Sequence, residues 1–190
     1  MSATSVDDVL DASGTGKSQL YHYFTDRAEL VTAVIDHQID AILEAQPLLG
    51  TIESLATFER WARGILIVHA QPGGPFACPL GSMAAELKND PAYRAALQDA
   101  FRRWEEPLAL GLKTMVRNGE LGRRDHPDRM AASIIGALQG GMLLARIADD
   151  VRPLRDTVAM VCEDVRRRVE RQAAHRDGHS SKGSRRTAAR

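Results

Sequence analysis

Residues 5–31 read SVDDVLDASGTGKSQLYHYFTDRAELV, and this stretch decides the fold. Val6, Val9 and Leu10 give residues 6–12 one apolar face, with Ser5 or Thr4 as the cap of a short helix. Ser13-Gly14-Thr15-Gly16 is a tight turn in which Gly14 can take the positive φ that such turns require. Lys17 to Phe24 forms a second short helix. Its Leu20 and Phe24, four apart, face inward and leave Ser18, Gln19, Tyr21 and His22 on the other surface. Two short helices joined by a glycine-containing turn make a helix-turn-helix, whose second helix would lie in the major groove of DNA. Lys17 at the helix start suits a phosphate or guanine edge, Gln19 a base edge read bidentately, and Tyr21 and His22 phosphate oxygens.

The rest of the chain is consistent with an all-α protein. Ala, Leu, Arg and Glu dominate, aromatic content is 5%, and β-branched runs flanked by turn signals are scarce. Turn signals fall at 13–14, 47–50, 71–75, 89–91, 118–122, 125–127 and 152–153. Between them, helical periodicity predicts helices over about 25–42, 52–69, 80–87, 91–118, 127–147 and 154–171, with Pro107 kinking the fourth and Asn118-Gly119 ending it. Gly136, Gly140 and Gly141 in one helix imply close approach of another helix. From residue 173 the composition is basic and poor in apolar groups, which predicts a disordered tail over 173–190.

Composition excludes several classes. The net charge is zero, and no run approaches the roughly 18 uncharged apolar residues needed to span a bilayer. The N-terminus has no signal-peptide pattern, so a cytoplasmic protein with no membrane partner is expected. Cys78 and Cys162 make neither a disulfide framework nor a metal cluster, and no metal or cofactor is expected. Gly14-Thr15-Gly16-Lys17-Ser18 lacks the earlier glycine of a P-loop, whose place is taken by Asp11. None of the six histidines stands in a catalytic pattern, so no enzyme is expected.

The segment Leu20-Tyr21-His22-Tyr23-Phe24, followed by Thr25-Asp26, Arg27 and Glu29-Leu30-Val31, resembles the signature of tetracycline-repressor (TetR) family regulators at the end of the recognition helix. Asp8 to Gly14 is similar to that family's first motif helix, and Phe76–Leu87, Ala100–Trp104, Gly119–Leu121 and Ala137–Gly141 are similar to downstream segments. The resemblance covers nearly the whole chain except the tail. It departs from the pattern in three ways: the helix that precedes the motif is missing, Thr15 and Gly16 replace an apolar residue and a Ser, and residues 1–45 carry two basic against eight acidic side chains.

The resemblance implies a helix-turn-helix domain over 1–45 and a ligand-binding and dimerisation domain over 46–172. It implies DNA contacts from Thr4, Ser5, Lys17, Ser18, Gln19, Tyr21, His22, Tyr23 and Arg27 to a palindromic double-stranded operator. It implies a pocket for a small hydrophobic or aromatic effector lined by Trp61, Ile65, Phe76, Met83, Trp104, Leu108, Met115 and Met142, with His69 or Gln139 as polar anchors. A homodimer would pair through Ile134, Gly136, Leu138, Gly140, Gly141, Leu144, Val158, Val161 and Val165. The function expected is a ligand-responsive regulator, most simply a repressor. The alternative is a dimeric small-molecule binder that has lost its grip on DNA with that first helix.

Overall fold

In a computed structural model, residues 10–12, 14, 16–71 and 77–187 are described, with side chains through residue 177. All regular structure among them is helical. Thr4, Ser5 and Phe76 lie outside the described residues.

Residues 10–12 are helical and lead into Gly14, whose φ of +65° is the left-handed turn conformation. Helix α1 is Lys17–Tyr23; Gly16 caps it in extended conformation with no side-chain bond, and the Gly16 carbonyl accepts from Gln19 and Leu20 N–H. Helix α2, Arg27–Glu44, is nucleated by a crossed pair of bonds. Asp26 Oδ1 accepts from Glu29 N–H at 2.9 Å, and Glu29 Oε2 accepts from Thr25 N–H at 2.6 Å. The Thr25 backbone bond holds the Glu29 carboxyl below its usual pKa. The Thr-Asp-Arg-Ala-Glu run is therefore a helix-start device.

A 3-10 turn at Pro47–Thr51 precedes α3, Leu55–His69. Ser54 and Thr57 form a reciprocal capping box at its start. Helix α4 is Pro79–Leu87, and α5, Pro91–Arg117, continues through Pro107 as one helix. Gly119, at φ +77°, ends α5, and Glu120 N–H returns to the Met115 carbonyl at 2.9 Å. Helix α6 is Pro127–Ala148 and α7 is Arg152–Thr187. The expected tail over 173–190 is thus helical as far as 187. Ala173 and Ala174 favour helix, and Arg176 Nη1 donates to the Gly119 carbonyl at 3.2 Å.

The chain divides into two compact units. The first comprises the chain up to Glu44 together with Pro79–Arg103. There α2 packs on α4, burying Ile35, Ile39, Leu80 and Met83, and Arg103 pairs with Asp36 and Asp40, one turn apart on α2. The second comprises Ala45–Cys78 and Trp104–Arg190. There α7 packs against both α6 and α3. Its core includes Phe58, Trp61, Ile65, Trp104, Leu108, Leu112, Met115, Ile135 and Leu138. The expected boundary at 45–46 lies next to the division at Glu44, but residues 79–103 join the first unit because α4 covers the apolar face of α2.

Helix α6 is the one described helix long and apolar enough by composition to cross a membrane; 44% of its most apolar stretch is buried, as in a helix shared between core and surface. Arg166 and Arg168, in the triple-arginine run, are held by ion pairs within the unit. Arg166 reaches Glu59 at 2.5 Å, and Arg168 reaches Asp125 at 2.9 Å.

Candidate DNA-reading helix and effector site

Helix α1 is fixed to the first unit through Leu20, its one buried residue. Lys17, Ser18, Gln19, Tyr21, His22 and Tyr23 are all exposed, and the rings of His22 and Tyr23 meet edge-on at 5.3 Å. Gly16, Ser18, Gln19, Tyr21, His22 and Tyr23 line one open surface concavity. Arg27 is exposed at the first turn of α2. All the expected DNA-contact residues within the described chain are therefore solvent-exposed. Gly16 lets the backbone turn into α1 at a cost of a few tenths of a kcal/mol relative to a Ser cap.

Of the residues expected to line an effector site, Trp61, Ile65, His69, Trp104, Leu108, Met115 and Met142 are buried in the second unit, where Gln139 is half-buried. Met83 is buried in the first unit, on α4, so it belongs to a different core from the others.

Sequence reasoning missed Gln46. Its Oε1 accepts from Trp61 Nε1 at 3.0 Å and from Trp104 Nε1 at 3.4 Å, so both indoles spend their only donor on one carboxamide. A lone Gln beside a Pro turn carries no periodic signal that could have announced this role.

Two polar atoms are left over. Among the described residues, His69 Nδ1 and Gln139 Nε2 are the buried side-chain nitrogens or oxygens with no hydrogen-bond partner. His69 is 8% exposed, and burial lowers its pKa, which favours the neutral imidazole. An orphaned buried donor or acceptor costs about 1–3 kcal/mol, so two in one unit call for a reason.

His69 lies on α3 and Gln139 on α6, both helices of the second unit. Glu59 on α3 pairs with Arg166 on α7, while Leu55 N–H, at the start of α3, bonds to Glu120 beside the Gly119 that Arg176 holds. Helices α3 and α7 are therefore antiparallel. On α6, Gly141 sits against Leu154 and Thr157, and Gln139 is half a turn before it.

The residues expected at a dimer face divide sharply. Ile134, Leu138, Gly141, Val158, Val161 and Val165 are buried within the chain, where α6 packs on α7, and so they are core positions. A Cβ on Gly141 would come within 2.7 Å of Thr157 Oγ1, so the close approach inferred from this glycine is internal. Gly136, Gly140 and Leu144 are exposed, with nothing near either glycine. Beside them Leu143 is 59% exposed, Ile147 73% and, on α7, Met160 59%. Periodicity identified the apolar residues of both helices but could not say which neighbour covers each side.

Comparison with known proteins gives a consistent result. The family model described as "Tetracyclin repressor-like, C-terminal domain" matches residues 52–161, and the one for "Bacterial regulatory proteins, tetR family" matches residues 1–34. An HTH-type transcriptional regulator from the lacX 3′ region of Lactococcus lactis is 31% identical over 80% of this chain and 77% of its own length. The transcriptional regulator AcuR of Cereibacter sphaeroides is 28% identical over 80% of this chain and 70% of its own. Among solved structures, a TetR regulatory protein from Rhodobacter sphaeroides superposes with a TM-score of 0.70 at 24% identity, covering 85% of this chain and 88% of that one. The reduced form of Escherichia coli NemR gives 0.72 at 20% identity, covering 84% and 85%.

Proposed function

The chain belongs to the tetracycline-repressor-like family of transcriptional regulators, and from that premise we propose that it is a homodimeric repressor released from a palindromic operator by a small molecule. The observation that carries the DNA reading is α1, in which Leu20 is buried while Lys17, Ser18, Gln19, Tyr21, His22 and Tyr23 are exposed. Gln19 supplies base discrimination. Lys17, Tyr21, His22, Tyr23 and Arg27 supply phosphate contacts that set register.

The dimer forms through the exposed stripe of Gly136, Gly140, Leu143, Leu144 and Ile147 on α6 with Met160 on α7. Two-fold pairing presents two copies of α1 to half-sites about 34–36 Å apart or a multiple of that spacing. The effector binds in the second unit among α3, the Trp104–Arg117 part of α5 and α6, with His69 and Gln139 as its polar contacts. Effector and operator then weaken each other's binding by the same factor.

The test is binding to DNA from upstream of the chain's own gene, measured by fluorescence anisotropy across a salt series. Lys17→Ala lowers affinity for every sequence and reduces the salt slope by about 1, whereas Gln19→Ala costs about 1–3 kcal/mol and relaxes preference at one base position. Unchanged binding in both variants refutes the assignment of α1. Sedimentation at micromolar concentration gives a dimer for the wild type and a monomer for Leu144→Arg; a monomeric wild type refutes the dimer.

A further inference from the structure

We propose that the turn between α5 and α6, with the part of α7 that faces it, binds a small anion carrying two phosphoryl groups. A cavity of about 490 Å³ opens there, within the roughly 300–1,000 Å³ of small-molecule sites. Arg123, Arg124, Arg168 and Arg171 line it, against the single carboxylate of Asp125. The chain as a whole has no net charge, so this concentration of cations is local. Every lining residue belongs to the second unit, whereas α1 belongs to the first, so the lining shares no residue with the DNA-reading set. None of its residues falls in the stripe proposed for dimerisation.

The frame of this site is fixed, while three of its guanidiniums are unengaged. Asp125 Oδ2 accepts from Gly122 N–H at 2.8 Å, and Asp125 Oδ1 accepts from Arg168 Nη1 at 2.9 Å. Arg168 Nε also donates to Asp164 at 2.7 Å. One turn further along α7, Gln172 packs against Gly122, where a Cβ would come within 3.0 Å of its Oε1. The turn is thereby pinned to α7 on both sides of Arg123 and Arg124. In the triple-arginine run, Arg166, Arg167 and Arg168 are each satisfied by carboxylates. Arg123, Arg124 and Arg171, by contrast, are exposed and make no side-chain hydrogen bond or ion pair among the described residues. Three like charges lining one concavity repel, and a bound anion relieves that repulsion. The guanidinium fork matches phosphate oxygens two at a time. One phosphoryl group carries about −1.5 to −2 at pH 7, short of three cations, whereas two groups match them.

The experiment titrates the full chain with pyrophosphate, inorganic phosphate and citrate at a constant ionic strength of about 0.15 M, read by calorimetry and by the shift in Tm. Pyrophosphate is expected to bind about tenfold tighter than inorganic phosphate, which lacks the second group. It is also expected to bind tighter than citrate, whose comparable charge sits on a flexible frame that must be ordered. Arg123→Gln, Arg124→Gln and Arg171→Gln should each weaken pyrophosphate binding by about tenfold and leave the unliganded Tm unchanged, since none of the three has a partner to lose. Arg60→Gln removes the same charge from an exposed position on α3 and should change binding by less than about twofold. An Arg60→Gln effect equal to the other three would mean diffuse attraction and would overturn the site. Pyrophosphate binding no tighter than inorganic phosphate or citrate overturns the assigned chemistry. Fluorescence anisotropy with a DNA duplex gives the last readout. If the three variants weaken duplex binding and leave pyrophosphate binding intact, these arginines serve DNA and the proposal fails.

Discussion

Gly141→Ala is expected to destabilise the chain, while Gly140→Ala, one residue away on the same helix, stabilises the isolated subunit. A Cβ at Gly141 would lie 2.7 Å from Thr157 Oγ1, 2.9 Å from Thr157 Cβ and 3.3 Å from Leu154 Cα. Thr157 cannot simply rotate away, because its hydroxyl donates to the Pro153 carbonyl at 2.8 Å. The Leu154 contact is backbone and yields only if α7 shifts. Such overpacking costs about 1–3 kcal/mol. Against it stands the helix-propensity gain of Gly→Ala, about 0.8–1 kcal/mol. That gain is common to both positions and cancels in the comparison, since a Cβ on Gly140 meets nothing within 4 Å. The two variants should therefore differ by about 1–3 kcal/mol, and by about 2–4 °C in Tm per kcal/mol for a chain of this size. Urea unfolding at two protein concentrations is the assay. A concentration-independent gap reports packing of α6 on α7. A Gly140→Ala penalty that is present at high concentration and shrinks on dilution would instead report the proposed subunit contact. Equal stabilities for the two variants would refute the packing argument.

Three further outcomes follow from other contacts. Gln46→Leu strands two indole N–H groups, each costing about 1–3 kcal/mol, and should lower Tm and blue-shift tryptophan emission; unchanged emission would contradict the shared bond. His69 has a lowered pKa from burial, so the unfolded chain binds its proton more readily than the folded one. Its stabilising contribution is present above the unfolded value of about 6.5 and is lost as pH falls through the lower folded value; His69→Phe should remove that part of the acid-side slope in urea unfolding. Arg103→Met removes ion pairs to Asp36 and Asp40 that are partly exposed, so the loss should stay under about 1 kcal/mol and shrink in high salt.

The local parts of the fold were legible because local spacing dictates them. Leu20 as the inward residue of α1, Gly14 at positive φ and the helix stop at Gly119 follow from side-chain period and glycine's freedom. Features that depend on distant partners were not. A 3.6-residue period marks Ile134 and Leu138 as apolar without revealing that α7 covers them while Gly136 and Gly140 stay open. Met83 looks like the other core methionines until α4 is seen to cover α2. The stretch after 173 reads as a tail by composition, yet an Arg176 bond to the Gly119 carbonyl ties its start to the α5 terminus. At the effector site, the sequence supplied His69 and Gln139 as polar candidates; only the hydrogen-bond inventory distinguishes them from the indoles.

The first unit is discontinuous in sequence, and this has a consequence for biosynthesis. The segment up to Glu44 is completed by Pro79–Arg103, so the apolar face of α2 has no cover until the ribosome has made another 59 residues, from 45 to 103. At about 5–20 residues per second that is a wait of roughly 3–12 s, with Ile35 and Ile39 exposed to chaperones or to other nascent chains. The DNA-reading part of the protein is made first but matures only after the polypeptide has passed through part of its other half. A peptide ending at Glu44 is expected to be largely unstructured by circular dichroism, and addition in trans of a peptide spanning residues 79–103 is expected to restore helix to it.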